Sequence, residues 1–357
     1  MSDRTLEELG WSPFFSEAWR DLAAEGSVPG RVIVAHSRVL RLRSAEGEFQ
    51  AEVSGRLRHR ARRPQDRPTV GDWVAFSPPS GSGRALVHAV LPRRTAFVRR
   101  AAGDLAVQQI LAANVDTVFL VMGLDRDYNP RRIERALVLA WESGASPVVL
   151  LNKADLCEDV DGRRAEVEAA APGVPVLVLA AREGQGLEAL SPWLERGKTV
   201  ALLGSSGVGK STIVNRLLGE ERQRTRAVRT SDQRGRHTTT HRELVALPAG
   251  GLLLDTPGLR EIQLWASEES LAFAFGDIEA LAPGCRFRDC AHDSEPGCAV
   301  RGAVETGDLG AERLASYQKL RAELRSLEMR EDPLLQREER GRWRAIHKSL
   351  KHDPRHK

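Results

Sequence analysis

Two short motifs stand in an order that restricts the folds open to this chain. Residues 204–211 read GSSGVGKS and fit G-x-x-x-x-G-K-[ST], the phosphate-binding loop. Asn-Lys-Ala-Asp occupies 152–155, upstream of it. Where the two motifs occur together, the phosphate loop ordinarily comes first and the NKxD run, which reads a guanine base, comes late. A binding site is a spatial object, so both halves can still meet if the chain has been cut and rejoined elsewhere. Termini that lie close together permit such a permutation.

Each half has a mechanism. Glycines let the backbone N–H groups of Gly204, Ser205, Ser206, Gly207, Val208 and Gly209 turn toward phosphate oxygens, and the following helix offers its positive N-terminus. Lys210 is placed to reach the β and γ phosphates and Ser211 to hold Mg²⁺, with Thr212 closing the loop. The apolar run 199–203 predicts a strand before the loop. Residues 212–218, with Ile213, Val214, Leu217 and Leu218 on one face, predict the helix after it. The NKAD run follows another buried-strand pattern, 147–151. Asp155 can accept from the N1–H and exocyclic amine of guanine, a donor pair that adenine lacks. Asn152 braces the loop, Lys153 covers the base and Ala154 lies between Lys153 and Asp155.

Three further stretches complete the set. Asp255-Thr256-Pro257-Gly258 follows the apolar run 252–254. It places Asp255 at a strand end to hold Mg²⁺ through water, and the Gly258 N–H toward the γ phosphate. Between it and the phosphate loop, GRHTTT at 235–240 falls where a mobile switch with an Mg²⁺-binding threonine is needed, and Thr239 is the candidate. Ala180-Ala181-Arg182-Glu183-Gly184-Gln185-Gly186 stands where a Ser-Ala pair is expected near the base. The serine is absent, which leaves a backbone role for Ala181. The order base loop, Ala-Ala loop, phosphate loop, switch one, switch two resembles the circularly permuted GTPases.

Charge distribution matters more than net charge. The formal balance is only +4, yet eleven arginines fall between 56 and 100 against Asp66 and Asp72 alone. Seven arginines lie between 222 and 242 against one acid, and the tail from 337 to 357 carries eight Lys or Arg against three acids. Three separated basic segments point to a polyanionic partner, and the cluster Arg58, Arg60, Arg62 and Arg63 is the candidate RNA contact. No signal peptide is expected, because the N-terminus lacks a charged n-region and an apolar h-region. Apolar stretches such as 118–122 fall far short of the ~18 residues that span a bilayer, so no membrane partner is expected. Four cysteines in a chain of 357 residues do not suggest a disulfide scaffold, and a reducing cytoplasm is the expected compartment.

The expected fold is multidomain α/β. Residues 1–29 form an N-terminal extension with a helix over 14–25, on which Trp11, Phe14, Phe15 and Trp19 supply the packing face. Residues 30–100 read as five short strands (32–35, 39–43, 49–53, 73–76 and 86–90), which suggests an OB-like β-barrel, with the arginine-rich insert 56–67 as an exposed loop. Residues 101–277 alternate near-continuous apolar runs (115–122, 147–151, 174–179, 199–203, 252–254) with helix-period segments such as 131–142 and 187–194, the pattern of buried parallel strands. Residues 278–330 hold Cys285, Cys290, His292 and Cys298. Three thiolates and one imidazole make a closed tetrahedral Zn²⁺ site, structural because no position is left for water. Leu314, Tyr317, Leu320, Leu324 and Leu327 mark an amphipathic helix packed on that module, and 331–357 is a basic tail.

A small barrel, a permuted GTPase and a Cys3His module, in that order, resemble the bacterial RsgA (YjeQ) family, whose members act late in small ribosomal subunit assembly. The segment Val70-Gly71-Asp72-Trp73-Val74 also resembles a recurring element of that family's barrel. The resemblance implies a GTP hydrolase, stimulated by the 30S subunit, that contacts 16S rRNA and helps release another assembly factor, with Mg²⁺ alongside GTP and one zinc per chain. A monomer is expected. Two other readings stay open: an RNA-binding chaperone switched by GTP, and a GTPase acting on another RNA complex. Leu259 follows the switch-two glycine where Ras-like proteins carry a water-orienting glutamine, so the catalytic group must come from elsewhere. His237 is the internal candidate and the ribosome the external one.

Overall fold

The computed structural model describes residues 6–22, 26–36, 39–79, 81, 83–100, 108–126, 128–219, 242–255 and 267–331. Two compact units emerge: residues 1–99 with 108–265, and residues 100–107 with 266–357.

The barrel of the first unit is built from β1 (Val28–His36), β2 (Val39–Ser44), β3 (Gly47–Val53), β4 (Trp73–Ser77) and β5 (Ala85–Val90). Strand order is β1-β2-β3-β5-β4, and β4 closes on β1 through Val28↔Phe76 to Arg31↔Trp73. Its interior is filled by Val32, Leu42, Val74, Phe76 and Val87, each fully buried. This is the OB-like barrel expected from strand spacing. The insert 56–67 departs from the expected loop. Ser54 accepts from the Leu57 N–H at 3.3 Å and caps a short helix, α1 of the barrel insert (Gly55–Arg60), and a 3₁₀ turn follows at Pro64–Asp66. Leu57 packs on the barrel core and Ala61 is buried, so the insert is anchored by these two apolar residues while its arginines face out.

The VGDWV segment is the hub of this unit. Trp73 is fully buried and meets Trp11 edge-on at 4.7 Å, while Phe15 packs at 5.8 Å. Phe15 lies in an N-terminal helix, Pro13–Leu22, and Trp11 just before it; residues 23–25 of the expected 14–25 lie outside the described residues. Gly71 takes φ +88 with its Cα against the Ala113 carbonyl, where any Cβ would collide. Arg31, 1% exposed, donates to the carbonyls of Leu9, Gly71 and Asn114, joining extension, barrel and nucleotide domain. Burial lowers its pKa to about 10, so it stays charged at neutral pH. Loss of those donors would leave the Leu9 and Asn114 carbonyls unpaired, at about 1–3 kcal/mol each, while the Gly71 carbonyl keeps the Asn114 Nδ2 at 3.0 Å.

The barrel sheet continues into the nucleotide domain. Here the strands are β8 (Thr117–Gly123), β9 (Ser146–Asn152), β10 (Val176–Leu179), β11 (Thr199–Leu203), β12 (Glu243–Ala246) and β13 (Leu252–Asp255), counted after a two-stranded β6–β7 ribbon (Ala96–Arg100 and Gln108–Ala113). Their order is β10-β9-β8-β11-β13-β12, with the first five parallel. Every residue of β8 and β11 is buried, which explains their uninterrupted apolar sequences. β12 runs antiparallel and reaches the barrel through Val34↔Glu243. The helix expected over 131–142 is found as Pro130–Ser143, capped by Asn129 and stopped at Gly144. The segment 187–194 is a 3₁₀ stretch, Leu187–Trp193, and not an α-helix; Pro192 has no N–H to continue the α ladder.

The second unit contains helices Glu268–Ala274, Gly276–Leu281, Ala299–Thr306 and Ala311–Glu331. Leu314, Tyr317, Leu320 and Leu324 of the last helix are buried, as its spacing predicts, while the Leu327 side chain lies outside the described residues. Arg313 forks onto Asp277 at 2.7 and 2.8 Å and lies 4.5 Å over Phe275. Among the described residues no helix is long and apolar enough to cross a membrane.

Candidate nucleotide site and metal cluster

In open parallel sheets ligands bind beyond the carboxyl ends of the strands. The motifs found in sequence lie there. Asn152 ends β9, Ala180 follows β10, Gly204 follows β11 and Asp255 ends β13. The sequence distance between them is therefore no obstacle, and the permuted order costs the site nothing in geometry.

Asn152 is the joint. It is 3% exposed; its Nδ2 donates to the Val208 carbonyl at 2.9 Å and its Oδ1 accepts from the Ala181 N–H at 3.1 Å. One side chain thus ties the NKAD run to the phosphate loop and to the Ala-Ala loop. Gly209, with φ +100, sits against it, and a Cβ there would run into Nδ2. The loop itself winds around Lys210, whose Nζ donates to the Gly204 carbonyl at 2.6 Å and to that of Ser205. Lys210 opens the helix Lys210–Leu218, with Ser211 and Thr212 in its first turn. Ile213 and Val214 hold that helix on the sheet through a core that includes Phe119, Val121, Leu150 and Leu202.

Lys153 adopts a left-handed backbone, φ 66, and its Nζ reaches Asp125 Oδ2 at 2.5 Å. Asp155 is exposed beside it. The sequence signal for Asp125 was faint: an acid two residues past the end of β8, at the same sheet edge as the motifs. Arg216 gave no signal. It reaches from the helix after the phosphate loop to the carbonyls of Ala181 (3.2 Å) and Arg182 (2.5 Å). Gly235, His237, Thr239 and Gly258 lie outside the described residues, as does Leu259.

Among the arginines of 56–100, some are structural. Arg93 forks onto fully buried Asp72 at 2.7 Å on both oxygens and also donates to the Gln65 and Arg67 carbonyls. Arg94 pairs with Asp116 at 3.4 Å. Arg58, Arg60, Arg62 and Arg63 are all exposed on the barrel insert.

In the second unit the ligand atoms of Cys285, Cys290, His292 and Cys298 all lie within 4.8 Å of one another. The His292 Nδ1 is 3.6 Å from Cys285 Sγ and 3.5 Å from Cys298 Sγ, and those two sulfurs are 3.9 Å apart. Zinc at about 2.3 Å from sulfur and about 2.0 Å from nitrogen gives tetrahedral edges of about 3.8 and about 3.6 Å, so the donor set fits one such ion. Burial, followed by the charge of Arg321, lowers the His292 pKa and favours the neutral imidazole that a ligand must be. His292 has φ 61, and its unusual backbone is fixed from two sides. Glu295 accepts from the N–H groups of Ala291, Asp293 and Ser294 at 2.8 to 3.1 Å, and these bonds, Ala291 foremost, hold its pKa near about 2. Gln318 donates to the His292 carbonyl at 2.6 Å. Neither partner was visible in the Cys/His spacing.

A profile of the RsgA GTPase family matches residues 90–265. A small ribosomal subunit biogenesis GTPase RsgA from Opitutus terrae is 54% identical, covering 96% of this chain and 96% of that protein. The crystal structure of YjeQ from Thermotoga maritima superposes with TM-score 0.63 at 29% identity, covering 84% of this chain and 98% of that one. The circularly permuted GTPase YloQ shares the fold, with TM-score 0.61 at 24% identity over 85% of this chain and 96% of that one. With the relative's identity extending over nearly the whole length, and the permuted motif order realised at one sheet edge, this chain belongs to the RsgA family of circularly permuted GTPases.

Proposed function

We propose that this protein hydrolyses GTP and acts in late maturation of the small ribosomal subunit, its nucleotide state timing binding and release. The observation that carries the nucleotide half is Asn152, which draws three separate motifs into one site. The ribosomal half rests on the similarity, over 96% of this chain, to a small ribosomal subunit biogenesis GTPase. In this reading Asp155 takes the guanine N1–H and amine, the loop from Gly204 to Thr212 takes the phosphates, and Lys210 exchanges its loop carbonyls for β and γ oxygens. Ser211, Thr239 and Asp255 hold Mg²⁺, which when bound neutralises charge on those oxygens. Cys285, Cys290, His292 and Cys298 hold one structural zinc. The protein works in the cytoplasm as a monomer, and its arginine-rich insert contacts 16S rRNA. Co-sedimentation with purified 30S subunits tests the whole: association should be strong with a non-hydrolysable GTP analogue and weak with GDP. Equal association in both states would overturn the timing role.

The insert makes a separate expectation. If its arginines neutralise phosphates, log affinity for 30S falls with log salt by about 0.7–0.9 per contact. Replacing Arg58, Arg60, Arg62 and Arg63 together should flatten that slope and leave GTP affinity intact. An unchanged slope would return these residues to a merely solvated surface.

For the chemistry, His237 is the group proposed to position or accept from the attacking water, since Leu259 has neither donor nor acceptor. Turnover should be slow in the free protein and accelerated by 30S. His237→Ala should abolish the acceleration, with GTP binding and 30S association preserved. Full stimulated turnover in that mutant would transfer the role to a ribosomal group.

A further inference from the structure

The Ala-Ala loop poses a question that its composition leaves open: what positions it, when Ala180 has no hydroxyl to bond with? Its internal shape needs no outside help. Ala180 and Gln185 pair in both directions at 3.2 Å, and the Glu183 N–H closes on the Ala180 carbonyl at 2.9 Å. Such a turn is self-folded, but nothing in those bonds fixes where it sits relative to the phosphate loop.

Two outside attachments do. One is Asn152. The other is Arg216, in the last turn of the helix Lys210–Leu218, whose Nε donates to the Ala181 carbonyl at 3.2 Å and whose Nη2 donates to the Arg182 carbonyl at 2.5 Å. We infer that Arg216 is a positioning residue for base recognition, clamping the Ala-Ala loop onto the helix that carries Lys210 and Ser211. The inference rests on the guanine-nucleotide reading of this site.

Peptide geometry says what the clamp does. A trans peptide is planar, so a carbonyl and the next N–H point in opposite directions. Holding the Ala181 carbonyl against the helix therefore turns the Arg182 N–H away from it. Among the described residues that N–H has no partner, and its neighbour, the Ala181 N–H, is directed by Asn152. With the Ala181 N–H taken up by Asn152 Oδ1, the backbone donor left for the guanine O6 is the Arg182 N–H, turned outward by the hold of Arg216 on the Ala181 carbonyl. Only a guanidinium fork spans two successive carbonyls; a lysine ammonium is a point charge on a flexible stem.

The test compares three probes on the full chain: GTP, the triphosphate of 2-aminopurine riboside (guanosine without O6 and also without the N1–H that Asp155 reads, a loss common to wild type and variant), and inorganic tripolyphosphate. Wild type should bind GTP more tightly than the O6-less analogue. Arg216→Ala should lower that preference about tenfold while leaving tripolyphosphate affinity unchanged. Arg216→Lys should fall between the two. An unchanged preference in Arg216→Ala, an equal loss for all three probes, or full recovery with lysine would overturn the clamp. A wild type with no preference between GTP and the analogue would instead overturn base recognition at this loop, and the clamp with it.

Discussion

Asp155→Asn should exchange the preferred base from guanine to xanthine. The carboxylate accepts two hydrogen bonds from guanine, each to a charged acceptor and so worth about 1.5–3 kcal/mol. Losing the charge, and presenting an amide N–H to the guanine amine, should reduce GTP affinity by a factor of about 10² to 10⁴. Xanthine carries a carbonyl at C2, which the new amide can satisfy. The geometry favours a clean exchange. Asp155 is exposed, whereas Asn152 and Lys153 are held in place by Val208, Ala181 and Asp125. The substitution therefore leaves the frame standing. Competition binding with GTP, XTP and ATP reads the result. Undiminished GTP affinity in the mutant, or equal affinity of wild type for ATP and GTP, would remove Asp155 from base recognition.

The two ends of the site were unequally legible in sequence. Motifs that carry their own backbone geometry, GSSGVGKS above all, announce both their chemistry and the strand and helix that flank them. The five barrel strands were equally plain, because half-buried strands alternate and are separated by turn residues. What sequence did not give were contacts made by side chains with no motif of their own. Arg216, Asp125, Glu295 and Gln318 act by reaching backbone or side-chain groups brought near only by folding. The same limit explains Arg93. Counted with the basic segment, it is spent on buried Asp72. The 3₁₀ stretch at Leu187–Trp193 is a different failure: apolar spacing suggested a helix and Pro192 decided its type.

Loss of one thiolate should dismantle the second unit's ligand loop. Cys298→Ser, or chelation of the wild type, is expected to release about one zinc per chain and to unfold the segment around 285–298. Cys298 has two roles. Its sulfur is a ligand, and it caps the helix Ala299–Thr306 by accepting from the Arg301 N–H at 3.5 Å. Structural zinc contributes about 10–16 kcal/mol of binding free energy in small sites, far more than the few buried side chains near this loop can replace. Glu295→Gln is the graded comparison. It keeps all four ligands but weakens the acceptor that gathers Ala291, Asp293 and Ser294, so metal affinity should drop about 10- to 100-fold without complete loss. Metal analysis after dialysis, with amide exchange across the loop, measures both. Full zinc content and unchanged exchange in Cys298→Ser would remove Cys298 from the ligand set, and a wild type that carries no zinc would show that the cluster is not a metal centre.

The register of β1 bears on how the protein survives its own synthesis. Chains emerge N-terminus first, at about 5–20 residues per second. The barrel strands are all present before the nucleotide domain begins, yet β4 covers β1 only as far as Arg31. Beyond that point the β1 edge waits for β12, and the contacting pair Arg41 and Glu243 is separated by 202 residues. The delay is about 10–40 s at that rate, and an open strand edge is a template for pairing with a neighbouring nascent chain. β1 carries a bulge between Val32 and Val34, where the open edge starts. A bulge twists the strand and breaks the regular ladder that a foreign strand would need. Among the described residues β12 meets β1 just past that irregularity, at Val34↔Glu243, so the strand that finally closes the edge docks beside the same feature that discourages strangers.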